Sequence, residues 1–114
     1  MKEIKAYIRK SCVKEVVEAL EKAGFNCISL LDVPGFGLLS DPEKRQYSTE
    51  LFKAYSTVVK VEIACKNEDV DKVVEIIKTQ GRTQHAGDGI ILVSPVDRAI
   101  KIRTGEEGKH ILQA

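Results

Sequence analysis

Apolar and polar residues alternate from the start of the chain. Ile4, Ala6 and Ile8 are interleaved with Lys5, Tyr7 and Arg9, the period-two signature of a strand with one buried face. The period then lengthens. Val13, Val16, Val17 and Leu20 fall at i, i+3, i+4 and i+7, the stripe of an amphipathic helix, with Ser11 as its expected N-cap and Gly24 as its stop. A second apolar run at 27–33 predicts a strand ending at Pro34-Gly35-Phe36-Gly37. The same order then recurs. Val59, Val61, Ile63 and Cys65 share one strand face, and Asn67 is placed to cap a helix carrying Val70, Val73, Val74 and Ile77. Gly81 ends that helix, and residues 90–93 form the strand after it.

Strand, helix, strand, twice over, predicts an α+β fold of ferredoxin-like βαββαβ order in a single domain spanning 1–114. Each helix has one apolar stripe, so both are expected on one face of an antiparallel sheet. Val and Ile occur at both parities of several strands, so the opposite face also needs cover, most simply from further copies of the chain. Between the halves, residues 38–57 keep no sustained period and read as a long flexible loop, a length that is usually functional when it occurs inside a compact domain. Glu43 to Tyr55 could form a transient helix there, with Leu51 and Tyr55 four apart. The tail, 106–114, reads as a fraying terminus.

Composition narrows the function. With 114 residues, 43% hydrophobic and 31% charged, the chain has the make-up of a soluble globular domain. A net charge of +1, without any Lys/Arg block, gives no electrostatic case for nucleic acid. No leader is expected ahead of the first strand, and no apolar run approaches the roughly 20 residues that would span a bilayer. Cys12, Cys27 and Cys65 are odd in number and far apart, which fits a reducing cytoplasm; Cys27 and Cys65 are expected as small buried hydrophobes. They form no CxxC and no metal-ligand spacing with His85 or His110. Asp88 and Glu62 are carboxylates without a nucleophile–base pair beside them, so no catalytic residue is assigned and the chain is not read as an enzyme.

One stretch carries candidate chemistry. Gly87-Asp88-Gly89 is a compact turn of the kind that lets an anion approach backbone N–H groups. Further on, Lys101 and Arg103 lie two apart, so a strand there would point both to one face and Ile100 and Ile102 to the other. Turn and cations together could hold a phosphate, though a hairpin turn with solvated charges has the same pattern.

In order along the chain, the Gly35-Phe36-Gly37 turn before a long loop, Lys60-Val61-Glu62-Ile63, Gly87-Asp88-Gly89 and Ile102-Arg103-Thr104-Gly105-Glu106 resemble the PII nitrogen-regulatory signal transducers. The resemblance covers nearly the whole chain outside 38–57. It implies a homotrimer with sheets facing inward, and adenine-nucleotide sites (ATP, ADP or AMP) in the clefts between subunits. It also implies that 38–57 is the T-loop, which docks on a target protein such as a transporter, enzyme or regulator. By the same resemblance, the nucleotide contacts are Ser29, Gly35, Phe36, Gly37, Glu62, Ala64, Gly87, Asp88, Gly89, Lys101 and Arg103. Glu62 and Ala64 would hold the adenine, with Ser29 in place of a threonine. Lys101 replaces an arginine and keeps the charge without the bidentate fork.

The departures are equally specific. Leu38-Leu39 stands where the family carries Arg-Gln, whose glutamine helps hold the Mg²⁺ bridging ATP and 2-oxoglutarate. Val58 and Ile90 stand where the family carries lysines for 2-oxoglutarate and for phosphate. Each lost charge-assisted contact is worth roughly 1.5–3 kcal/mol, so the expected ligand has fewer phosphates, ADP or AMP, without coupling to 2-oxoglutarate through Mg-ATP. In the loop, Thr49-Glu50-Leu51-Phe52 is similar to the family's Thr-Glu-Leu-Tyr but out of register, and Tyr47 and Tyr55 miss the position that enteric members uridylylate. The alternative is a metal-handling trimer similar to the divalent-cation tolerance proteins, drawing on Cys12, Cys27, Cys65, His85 and His110.

Overall fold

The computed structural model describes residues 1–43, 45–48 and 53–112. Among these, β1 (Lys2–Arg9), α1 (Val13–Lys22), β2 (Ile28–Gly35), β3 (Gln46–Ser48), β4 (Lys53–Cys65), α2 (Val70–Gly81) and β5 (Ile91–Pro95) follow the predicted order with β3 added. The sheet runs β2-β4-β1-β5 with every pairing antiparallel, which is the ferredoxin-like arrangement. β1 lies central, paired to β4 from Lys2↔Cys65 to Arg9↔Val58 and to β5 from Lys2↔Pro95 to Ala6↔Ile91.

Both helices cover one face, as their single stripes require. Val16 and Leu20 of α1 and Val73 and Ile77 of α2 pack on Ile4, Ala6 and Ile8 of β1 and on Val59, Val61, Ile63 and Cys65 of β4. Each buried Val, Leu or Ile among them contributes about 1.5–3 kcal/mol. α1 ends as predicted: Gly24 takes φ +92°, its N–H donates to Glu21 O and the Phe25 N–H to Leu20 O. That double bond is a Schellman cap, and it tucks Phe25 into the core. The predicted starts are different. A 3₁₀ turn precedes each helix (Lys10–Cys12 and Asn67–Asp69), so Ser11 and Asn67 lie inside turns, and Cys12 and Asp69 are the caps, without side-chain bonds. Tightened backbone takes the place of side-chain capping there.

The opposite face carries Lys5, Tyr7 and Arg9 of β1, Lys60, Glu62 and Ala64 of β4, Ser29, Leu31 and Val33 of β2, and Leu92 of β5. Leu31 and Leu92 stay 46% and 49% exposed on it. Among the described residues, the end of this face at Arg9 and Val58 is covered by the chain itself, while its middle, at Leu31 and Leu92, stays open.

Three local expectations change. Cys27 is exposed, because β2 begins after it, at Ile28; Cys65 is buried as expected. Part of the 38–57 segment is regular: β4 starts at Lys53, and β3 pairs with it from Gln46↔Tyr55 to Ser48↔Lys53. This antiparallel ribbon takes the place of the transient helix expected over 43–55, of which 44 and 49–52 lie outside the described residues, as does Thr49-Glu50-Leu51-Phe52 as a whole. Residues 109–112 form a 3₁₀ turn that buries Leu112, so the tail is fastened that far.

Candidate functional site

Past the end of α2, residues 83–89 close a tight turn around one carboxylate. Asp88 Oδ2 accepts the N–H groups of Thr83 and Gln84, both at 2.8 Å, and its Oδ1 accepts the Thr83 hydroxyl. Gln84 adopts φ +67° to allow this. Arg9, at the end of β1, donates through Nε to Asp88 at 2.8 Å and through Nη2 to Ala86 O at 2.6 Å. Its Nη1 pairs with Asp41, so a single guanidinium joins two carboxylates 47 positions apart in the chain. Partial burial pushes the Asp88 carboxyl up, but the Arg9 guanidinium and the Thr83 and Gln84 donors outweigh it and hold the group well below the usual carboxylate range.

The two glycines of the turn are dictated by backbone contact. A Cβ on Gly89 (φ +87°) would lie 1.8 Å from the Tyr7 carbonyl oxygen, and one on Gly87 (φ +100°) 3.0 Å from Asp41 Cα. The turn is thus pressed against the end of β1 on one side and the root of the 38–57 segment on the other.

That root is itself well tied. Gly35 cannot carry a Cβ, which would fall 2.5 Å from Leu39 O, and the 3₁₀ turn Gly37–Leu39 brings the Leu39 N–H to Phe36 O and the Ser40 N–H to Gly37 O. Ser40 and Ser56 are buried and share a contact at 3.3 Å between hydroxyls; the Asp41 N–H donates to Ser56 Oγ at 2.7 Å. The Phe36 ring leans on Tyr55 at 6.2 Å between centroids. Between root and turn lies a cleft of about 310 Å³, bordered by Arg9, Leu39, Asp41, Ser56, Val58 and Gly87.

The other predicted residues are elsewhere. Ser29 faces Glu62 across β2 and β4, with Ala64 two residues further along, and Lys60 reaches Glu62 at 2.9 Å. Ser29 and Gly35 are six residues apart on β2, roughly 20 Å at the strand rise of ~3.3 Å per residue. The predicted residues of one chain therefore fall in two separate groups along β2.

Lys101 and Arg103 do not form the expected alternating strand. The Lys101 N–H donates to Glu106 O and the Gly105 N–H to Lys101 O, so 101–106 is a hairpin tip, based on the Ile100↔Glu107 bridge and the bidentate Arg98–Glu107 pair. Gly105 at φ +74° and the Thr104 hydroxyl, which accepts the Glu106 N–H, make the turn that alternation alone would not predict. Ile102 at the tip is 100% exposed. Among the described residues, no hydrogen bond or ion pair joins Lys101 or Arg103 to the 83–89 turn.

Three residues that matter here, Arg9, Asp41 and Thr83, escaped the sequence reading. Asp41 and Asp88 lie 32 and 79 positions from Arg9, so no local pattern announces the cluster. The one hint was Arg9 at the end of an alternating strand, on the side away from the core. Of the departures, Val58 is 3% exposed, a buried hydrophobe, while Ile90 is 40% exposed and its carbonyl accepts the Tyr7 N–H. Among the described residues no three His, Cys, Asp or Glu side chains come together to hold a metal ion. No described helix is long and apolar enough to cross a membrane.

Residues 1–106 match the family described as "Nitrogen regulatory protein P-II". A "Nitrogen regulatory protein P-II" of Cereibacter sphaeroides is 39% identical over 115 residues, with 96% of this chain and 97% of that protein covered. A "Nitrogen regulatory protein P-II 2" of Methanothermobacter thermautotrophicus is 41% identical over 113 residues, covering 96% and 95%. Among solved structures, Arabidopsis thaliana PII bound to citrate superposes with a TM-score of 0.80 at 31% identity, covering 99% of this chain and 90% of that one.

Proposed function

Because the chain belongs to the P-II nitrogen regulatory family, we propose that it is a signal transducer that binds an adenine nucleotide between subunits and reports the nucleotide to a target protein through residues 38–57. The subunits form a homotrimer in which the uncovered sheet faces, with Leu31 and Leu92, meet one another. Ser29, Glu62 and Ala64 of one chain hold the adenine. Gly35, Phe36, Gly37, Gly87 and Gly89 of its neighbour border the phosphates, and Asp88 acts by shaping the turn, since its oxygens are taken by Thr83, Gln84 and Arg9. Lys101 and Arg103, carried outward on their hairpin, supply positive charge to the phosphates. The separation of the two groups on a single chain supports a site completed by a second copy.

One observation carries the reading. Gly87 sits against the backbone of Asp41 and both border one cleft, so a ligand seated there meets the glycine turn and the root of the loop together. A ligand moves a loop only by its differential affinity for two loop states, and here such a difference arises by contact. Leu39, Val58 and Ile90 remove a metal ligand and two cations, so the preferred nucleotide is ADP or AMP, and 2-oxoglutarate is not sensed through Mg-ATP. Calorimetric titration with ATP, ADP and AMP, each with and without Mg²⁺ and 2-oxoglutarate, tests this. ADP or AMP binding indifferent to 2-oxoglutarate is expected; tight Mg-ATP-dependent 2-oxoglutarate binding would refute the preference, and no nucleotide binding would refute the function.

A further inference from the structure

We propose that Arg9 is a charge latch that fastens the root of the 38–57 segment to the glycine turn through Asp41, and that a phosphate group arriving at the turn opens it by taking Arg9 from Asp41. The inference rests on the nucleotide reading for its second half only.

The geometry sets which carboxylate gives way. Asp88 is built into its turn by the Thr83 and Gln84 N–H groups and the Thr83 hydroxyl, all within five residues of it. It stays in place whatever Arg9 does. Asp41 accepts the Glu43 N–H at 2.9 Å within its own segment, and Arg9 is what ties its carboxylate to the turn. Arg9 Nη1 and Asp41 Oδ2 belong to side chains only 12% and 16% exposed, so the pair is partly shielded from screening by salt. Arg9 also keeps N–H groups beyond the three it donates to Asp88, Asp41 and Ala86, because a guanidinium has five.

A phosphate carries more charge than a carboxylate and matches the guanidinium fork. Placed at Gly87, whose backbone touches Asp41, it competes with Asp41 for one cation and adds a like charge beside it. Val58 and Ile90 are apolar, and although Lys10 borders the same cleft and Arg45 donates to Ser40, Arg9 is the cation whose bonds reach both the turn and the loop root. The Asp41 backbone bond to Ser56 remains, so the release frees the side-chain tie and loosens the segment rather than detaching it.

The test is amide hydrogen exchange of the intact protein with and without ADP, on wild type, Asp41→Asn, Asp41→Ala and Arg9→Lys, with thermal melts confirming that each variant folds. Without ligand, exchange at 40–46 should rise about tenfold in all three variants, while 83–89 is unchanged in the Asp41 variants. With ADP, wild type should show the same rise at 40–46, and the Asp41 variants no further rise. ADP should also bind the Asp41 variants about threefold to tenfold more tightly, since it no longer competes with Asp41. Equal ligand-free exchange in wild type and the Asp41 variants would overturn the latch. Equal ADP affinity in both would overturn the competition. If no protein binds ADP while the Asp41 variants still loosen 40–46, the latch is supported as a fastening, and the nucleotide reading and its release step fall.

Discussion

Replacing Gly89 by alanine is the sharpest probe of how the turn is built. The residue holds φ +87°, and an added Cβ would lie 1.8 Å from the Tyr7 carbonyl oxygen, a backbone atom that cannot swing aside. The left-handed conformation costs about 1–2 kcal/mol for a residue with a Cβ. Relieving the overlap means parting β5 from β1, which sacrifices the 2.9 Å bond from the Tyr7 N–H to Ile90 O, worth about 1 kcal/mol. Gly89→Ala should therefore destabilise by about 3 kcal/mol, or about 10 °C in Tm for a domain of this size. Two controls separate strain from overlap. Gly37 has φ +58° with open space around its Cβ position, so Gly37→Ala should cost only about 1 kcal/mol. Gly81, ending α2, would meet Ile8 Cγ2 at an ordinary 3.5 Å, so Gly81→Ala should be neutral or stabilising by up to about 1 kcal/mol. Thermal melts at one fixed protein concentration measure all three. If Gly89→Ala melts within a degree or two of Gly37→Ala, the close approach of Tyr7 to the turn is wrong.

Because Asp88 titrates below its unfolded value, near 3.9, its contribution to stability is full above about pH 4 and is lost as pH falls through the native value. Asp88→Asn should accordingly melt lower at neutral pH and show a flatter acid limb below pH 4; an acid limb as steep as that of wild type would contradict this. Ile90→Lys returns a cation beside the turn and should tighten ATP relative to ADP by about tenfold or more; an unchanged ratio in calorimetry would argue that phosphates do not lie there. Cys27 is exposed while Cys12 and Cys65 are buried, and burial pushes the Cys65 thiol up, so Cys27 should react first with a thiol reagent, read by peptide mass.

What the sequence disclosed was whatever depends on period and turn chemistry. Ile4, Ala6 and Ile8 alternate because one face of β1 is buried, and Val16, Leu20, Val73 and Ile77 repeat because each helix has one packed stripe. Gly24, Gly87 and Gly89 could be read as backbone requirements for the same local reason. Ser11 and Asn67 misled because a 3₁₀ turn can open a helix without a side-chain cap. Cys27 misled because apolar character was extended one residue past the true strand edge. The alternation at Ile100 and Ile102 lost to Gly105, whose positive φ bends 101–106 into a hairpin tip. The Arg9–Asp41–Asp88 cluster was beyond reach, since it joins three distant segments and only the folded topology places them together. Of the candidate site, the glycine turn was legible in its residue types, and the distance between Ser29 and Gly35 along β2 was not.

Sedimentation of the protein with ADP, followed at an absorbance dominated by the nucleotide, addresses assembly and ligand together, and the absence of tryptophan keeps the protein signal low. The account predicts that the nucleotide travels with a species of three chains of 12.6 kDa each. A single-chain species, or nucleotide left behind by the protein boundary, would contradict a sensor whose site is completed between subunits.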